Sequence, residues 1–215
     1  MKFLSVNNTK LLTKIIFLFI AAFIGLSCLI YFFPLSFVDL KISKEIQEHQ
    51  NPTLDHFMTF ISWFGTMPYS VITVGVVALM FLIFRYRKEA LFTLLTLSAG
   101  VVSTVTKMLI NRPRPAKDLV RIIEVTKQQS FPSGHTLFYT VFFGFLIIVM
   151  GKLKSVNYYL RIIVISFSAA MVLLIPFSRI YLGAHWFTDV LGGAMLGILC
   201  LLILGYFYLP KKDVG

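Results

Sequence analysis

The chain has 215 residues, 58% hydrophobic, 15% aromatic and only 13% charged, with a formal net charge of +11. Soluble domains are about 45–50% apolar and about 25% charged, so the composition excludes a disordered chain and argues against a soluble globule. In a soluble protein this charge would suggest nucleic acid, but here Lys and Arg cluster between apolar runs, as in membrane proteins. Anionic lipid headgroups or phosphate are therefore the expected partners.

The first apolar run, 15–33, follows Lys2, Lys10 and Lys14, as in a secretory signal. Gly25-Leu26-Ser27-Cys28 loosely resembles a lipoprotein cleavage site, but Gly25 stands where such a site wants leucine, and the run continues to Phe33 before Pro34. It reads as an uncleaved first span. Five more runs follow, at 68–84, 90–110, 134–150, 160–177 and 188–208. They approach the roughly 20 residues a helix needs to cross a bilayer, the second and fourth being short. The expected fold is all-α: a polytopic membrane protein with six transmembrane helices in a single domain, 1–215. Cys28 and Cys200 each lie inside an apolar run and read as small buried residues, not a disulfide or a metal site.

Between the first two runs, segment 34–67 is not a simple loop. Val38, Ile42 and Ile46 recur every fourth residue with Lys41, Lys44, Glu45 and Glu48 between them. After Pro52, residues Leu54, Phe57, Met58, Ile61 and Phe64 form a second apolar face. Two short amphipathic helices lying in the outer interface are expected; simple capping of the bundle is the alternative.

Charge gives the orientation. Lys and Arg number three before the first run, three at 85–88, and three at 152–161. The positive-inside rule then puts both termini in the cytoplasm. Six basic residues at 107–127 fall on the outer side, against the rule. Charges kept where topology disfavours them usually have another job.

Three polar segments carry the chemistry. Lys107 ends the third run, and Arg112 and Arg114 follow it in a stretch that Pro113 and Pro115 keep from being helical. Alone, these could be basic residues snorkelling to lipid phosphates. Pro132-Ser133-Gly134-His135 precedes the fourth run. A Ser N-cap followed by Gly presents free backbone N–H groups at a helix N-terminus, a ready anion site, or simply a capped helix start. Ser178-Arg179 and then His185 and Asp189 flank the sixth run. If helical, His185 and Asp189 share a face, and the carboxylate can hold one ring nitrogen while the other acts as nucleophile or base. A lone His–Asp pair is more often structural.

Together the segments resemble the type 2 phosphatidic acid phosphatase superfamily, whose pattern is K-x6-RP, PSGH and SR-x5-H-x3-D. Lys107, Arg114-Pro115, Pro132-Ser133-Gly134-His135, Ser178-Arg179, His185 and Asp189 match every position, with the motif core at 107–189. The six spans resemble the integral-membrane lipid phosphatases of that superfamily. The resemblance implies a phosphohistidine on His185, with Asp189 orienting it, and His135 protonating the leaving oxygen and later activating water. Lys107, Arg114, Ser133, Gly134 and Arg179 would bind phosphate. No carboxylate cluster suited to Mg²⁺ or Ca²⁺ occurs, so a reaction without metal or cofactor is expected. Implied substrates are phosphatidylglycerol phosphate, phosphatidic acid or undecaprenyl diphosphate, met at the outer face of the cell membrane. A lipid phosphotransferase using the same histidine, or a lipid-binding or transport protein with a degenerate site, are the alternatives. His49 and His56 have no expected chemistry.

Overall fold

The computed structural model describes residues 9–209; Lys2 of the charge count lies outside them. Its elements are all helical: α1 (Thr9–Phe32), α2 (Phe37–Ile46), α3 (Pro52–Trp63), α4 (Tyr69–Ile83), α5 (Arg87–Leu95), α6 (Ser98–Ile110), α7 (Gly134–Lys152), α8 (Tyr158–Tyr181) and α9 (Phe187–Tyr208). Among the described residues, five segments are long and apolar enough to cross a membrane: 11–32, 87–110, 134–152, 158–181 and 187–208. The second expected span is α4, shorter at 15 residues.

The third span is one run in sequence but two helices in the fold. The Thr96 hydroxyl donates to the Thr93 carbonyl (2.5 Å). Around it, amide bonds from Thr96, Leu97, Ala99 and Gly100 each reach back only three residues. A threonine competing for the backbone tightens the turn and separates α5 from α6. The fifth span runs past its apolar stretch to include Ser178 and Arg179, both buried in the last turn of α8. They can be buried because each has a partner: Ser178 donates to the Met58 carbonyl (2.7 Å), and Arg179 pairs with Glu124.

Helix α7 is the central post, buried along nearly its whole length. Phe138 and Phe142 stack along it with ring centroids 5.4 Å apart, and Phe145 meets Tyr208 of α9 edge-on at 5.2 Å. Helix α9 lies against α7 through Gly193 and Gly197. A methyl carbon at Gly193 would stand 2.5 Å from the Ser133 carbonyl oxygen, and one at Gly197 2.7 Å from Thr140 Cβ. Small residues let two helix backbones approach closely. This contact brings the N-terminus of α9, with Asp189, beside the N-terminus of α7, with Ser133-Gly134-His135.

Segment 34–67 does contain two helices, each started by a polar cap. The side chain of Ser36 accepts from Asp39 N, and that of Asn51 from Leu54 N. The face of α2 that packs on protein is polar. Asp39, Ser43 and Gln47 are buried, whereas Val38 is half exposed and Ile42 and Ile46 are only partly covered. The polar stripe, spaced four residues apart, faces protein. Gln47 Nε2 donates to the carbonyls of Arg121 (2.8 Å) and Tyr181 (2.9 Å), and its Oε1 accepts from Arg121 N (3.0 Å).

Candidate active site

The three motif segments and α2–α3 converge at one end of the bundle. Helix α6 ends at Asn111, which takes a left-handed C-cap (φ 48°) and releases the chain into the stretch carrying Arg112 and Arg114. Lys107, in the last turn of α6, is 5% exposed. Its Nζ donates to the Gln129 carbonyl (2.5 Å). Arg114 is gathered by the same loop: Nε donates to the Gln128 carbonyl (2.6 Å), and Nη1 donates to the Ala184 carbonyl (2.5 Å) and lies 3.4 Å from His185 Nε2.

Ser133 caps α7, accepting from Thr136 N and the Thr136 hydroxyl. Its amide donates to the Asp189 carbonyl (2.9 Å). The N–H groups of Gly134 and His135 fall in the first turn, where no intrahelical carbonyl meets them. His135 Nε2 lies 3.3 Å from the Thr66 hydroxyl. A Cβ at the neighbouring Gly65 would collide with the His135 ring, so this linker packs directly on the histidine.

His185 and Asp189 do not share a helical face as expected. Gly183 turns the chain with φ +67° against the Arg121 carbonyl, so α9 begins only at Phe187. His185 therefore precedes the N-cap, and Asp189 lies in the first turn. Its Oδ2 accepts from Trp186 N (2.8 Å) and from the Ser130 hydroxyl (2.5 Å). His185 Nδ1 faces that same oxygen at 3.6 Å, with Ser130 Oγ at 3.5 Å. Nε2 thus remains on the side of Arg114.

Burial pushes His185 well below the ordinary histidine value, and the charges of Arg114, Lys107 and Arg179 push the same way; a backbone hydrogen bond at Ser130 opposes them. At neutral pH the ring is uncharged and its lone pair is available. Arg114 is pushed down to about 10, chiefly by burial and by Arg179, and keeps its charge at neutral pH.

Arg179 is 1% exposed. Glu124 accepts from Nη1 at Oε2 (2.6 Å) and from Nη2 at Oε1 (3.0 Å), and Ser62 Oγ is a further partner of Nη1. The buried Nε has no partner among the described residues. Burial raises the Glu124 carboxyl, but the bonds and charge of Arg179 outweigh it and hold the group below its usual range.

A cavity of about 870 Å³ opens beside these groups, between α4, α6 and the 124–128 loop. Lys107, Glu124, Gly134 and His135 line it, together with the apolar Val71, Leu97, Val101 and Val105. Among the described residues no group of three or more His, Cys, Asp or Glu could hold a metal ion. His49 and His56 are exposed on segment 34–67.

Four residues around the site escaped the sequence reading, Glu124, Ser130, Thr66 and Asp39, and a fifth, Arg112, was named there without this role. Arg112 stood beside Arg114 and read as a helix-exit charge, yet its guanidinium is buried against Asp189 (2.6 Å). Glu124 carried a signal, as an acidic residue inside a basic, membrane-adjacent cluster.

Comparisons with known proteins give the family and the fold. The family model described as PAP2 superfamily matches residues 88–213, more than half the chain and all three motif segments. The chain belongs to that superfamily. Phosphatidylglycerophosphatase B of Bacillus subtilis is 30% identical over 166 residues, covering 75% of this chain and 78% of that protein. Undecaprenyl-diphosphatase BcrC of the same organism is 28% identical over 182 residues, covering 82% and 86%. Lipid phosphate phosphatase delta of Arabidopsis thaliana is 29% identical over 164 residues, and the chain spans only 39% of it. The crystal structure of the transmembrane PAP2-type phosphatidylglycerolphosphate phosphatase from Bacillus subtilis superposes with a TM-score of 0.75 at 24% identity, covering 89% of this chain and 94% of that one. The fold is that of the membrane PAP2 phosphatases, and the expected all-helical, multi-pass architecture stands.

Proposed function

We propose that the chain, as one domain, hydrolyses a phosphomonoester or diphosphate on a membrane lipid through a phosphohistidine. The observation that carries this is the neutral, buried His185, with Nδ1 turned to Asp189 and Nε2 turned to Arg114. Nε2 attacks phosphorus as the bond to the lipid oxygen breaks, and His135 donates a proton to that oxygen. The imidazolium so formed is stabilised by Asp189. Water then attacks the phosphohistidine, His135 takes its proton, and phosphate leaves. Charge gathering on the equatorial oxygens is met by Lys107, Arg114, Arg179, the Ser133 hydroxyl and the Gly134 N–H.

The site end of the bundle faces outward, with both termini in the cytoplasm. The basic clusters at 85–88 and 152–161, at the opposite end, support this by the positive-inside rule. Helices α2 and α3 lie in the outer interface, and the lipid enters from its own leaflet through the cavity between α4 and α6. Phosphatidylglycerol phosphate, phosphatidic acid and undecaprenyl diphosphate are the substrates considered. The relatives' names support the first and third.

The test is His185→Ala, assayed by phosphate release from each lipid in micelles, with acid-labile phosphate trapped on the wild-type protein. Loss of activity by up to about 10⁶-fold is expected for a removed nucleophile. Turnover near wild type refutes the assignment. Transfer of the phosphoryl group to an alcohol in preference to water would make the enzyme a phosphotransferase instead.

A further inference from the structure

The site contains a buried ion network that the phosphate chemistry described above does not use. Arg112 is 2% exposed, and four of its donor contacts go to protein. Nε donates to the Pro34 carbonyl (2.8 Å), Nη1 to Thr188 Oγ1 (2.7 Å) and Asp189 Oδ1 (2.6 Å), and Nη2 to Asp39 Oδ2 (2.6 Å). Asp39 is fully buried and comes from α2. Its Oδ1 also accepts from Thr188 N (2.9 Å), so a carboxylate from one helix caps the first turn of another. Arg112 does not line the main cavity, whereas Lys107 does.

We propose that Arg112 and Asp39 are positioning residues for the phosphoryl transfer: the chain Asp39–Arg112–Asp189 fixes the carboxylate that orients His185, and thereby makes α2 part of the catalytic apparatus. This rests on the reading of Asp189 as the orienter of His185. Two edges of the Asp189 carboxylate are held differently. Arg112 takes Oδ1, while Oδ2 is left to Trp186 N, Ser130 and the His185 ring. Without the guanidinium, the carboxylate can rotate, and Nδ1 loses its fixed partner. The planar fork is needed because a single ammonium cannot reach Pro34, Asp39, Thr188 and Asp189 together. Asp39 in turn keeps the guanidinium from swinging towards the phosphate.

The experiment measures kcat and KM for phosphate release by full-length protein in detergent micelles, using phosphatidic acid as the probe. The variants are Arg112→Lys, Asp39→Asn, Asp189→Asn, and each of the first two combined with Asp189→Asn. Arg112→Lys keeps the charge, and Asp39→Asn keeps the shape, so one variant tests the network if the other fails to fold. Each is expected to lower kcat about 10–100-fold, the usual cost of losing an outer partner that orients a reacting group, with KM changed less than about twofold. In the Asp189→Asn background the same substitutions should cost less than about threefold, because the group they act through is already altered. Wild-type kcat in both single variants overturns the proposal, as does an undiminished loss in the Asp189→Asn background, which marks a role in the fold alone. Wild-type kcat in Asp189→Asn itself overturns the underlying reading of the His–Asp pair, and this proposal with it.

Discussion

Gly193→Ala tests whether the close approach of α9 to α7 is what assembles the site. The added methyl would lie 2.5 Å from the Ser133 carbonyl oxygen, 3.2 Å from Thr136 Cβ and 3.4 Å from Leu137 N. Two of these atoms are backbone, so no rotamer change relieves the clash. Reaching ordinary contact at 3.4 Å requires the helices to separate locally by about 0.9 Å. Overpacking of this kind costs about 1–3 kcal/mol, or a melting temperature lower by roughly 2–12 °C for a chain of this size. The chemical cost should be larger. Ser133 and His135 ride on α7, and Asp189 on α9, so the separation acts on the distance between the proposed acid, His135, and the proposed nucleophile, His185; a displacement of about 1 Å can cost about 10²-fold in rate. The assay is phosphate release from a lipid phosphate, with thermal unfolding followed in the same detergent. Gly75→Ala is the control, since nothing lies within 4 Å of that position. Wild-type kcat and melting temperature in Gly193→Ala would show that the helices are not in register through this glycine.

Three further outcomes follow from the same geometry. On the proposed mechanism His185 attacks as the neutral ring, and burial with the nearby charges holds its pKa below 6.5, so the acid limb of kcat/KM should lie below pH 6.5; Arg114→Gln removes a charge that depresses the ring and should move that acid limb to higher pH, read from the two pH–rate profiles. Because side chains and N–H groups are proposed to carry the phosphate charge, EDTA should leave turnover unchanged and vanadate should inhibit it; activity lost in EDTA and restored by Mg²⁺ contradicts the mechanism. In intact cells, after Cys28 and Cys200 are replaced, Lys127→Cys should react with an impermeant thiol reagent and Lys152→Cys should not, and the reverse pattern would turn the site to the cytoplasm.

The motif residues were legible because their chemistry is local. Ser before Gly at the start of an apolar run has few uses besides a helix cap, and the structure has Ser133 in that position. Arg179 and Asp189 were conspicuous as charges beside bilayer-length helices, where charge is costly. Ser130 and Thr66 could not be found this way. Each is an ordinary hydroxyl in a loop, and each matters only because the chain returns from 55 and 69 residues away to meet it. The His185–Asp189 geometry was misread for a related reason. Spacing of four implies a shared face only within a helix, and one glycine, Gly183, ends that condition.

Helix α2 exposes a deeper limit. An apolar stripe is normally read as the face that packs on protein, because in water the alternative is exposure. Beside a bilayer the alternative is lipid, which accepts Val38 and Phe37 at no cost but cannot satisfy a carboxylate. The polar residues are then the ones driven inward, provided they find partners. Asp39 finds Arg112 and Thr188, and Gln47 finds the carbonyls of Arg121 and Tyr181. Ser43, between them, is buried with no hydroxyl partner among the described residues, so the stripe is held by its two ends. For an interfacial helix, as α2 is proposed to be, the spacing of its polar residues predicts its docked face, and that face here leads to Asp189, the carboxylate proposed to orient His185.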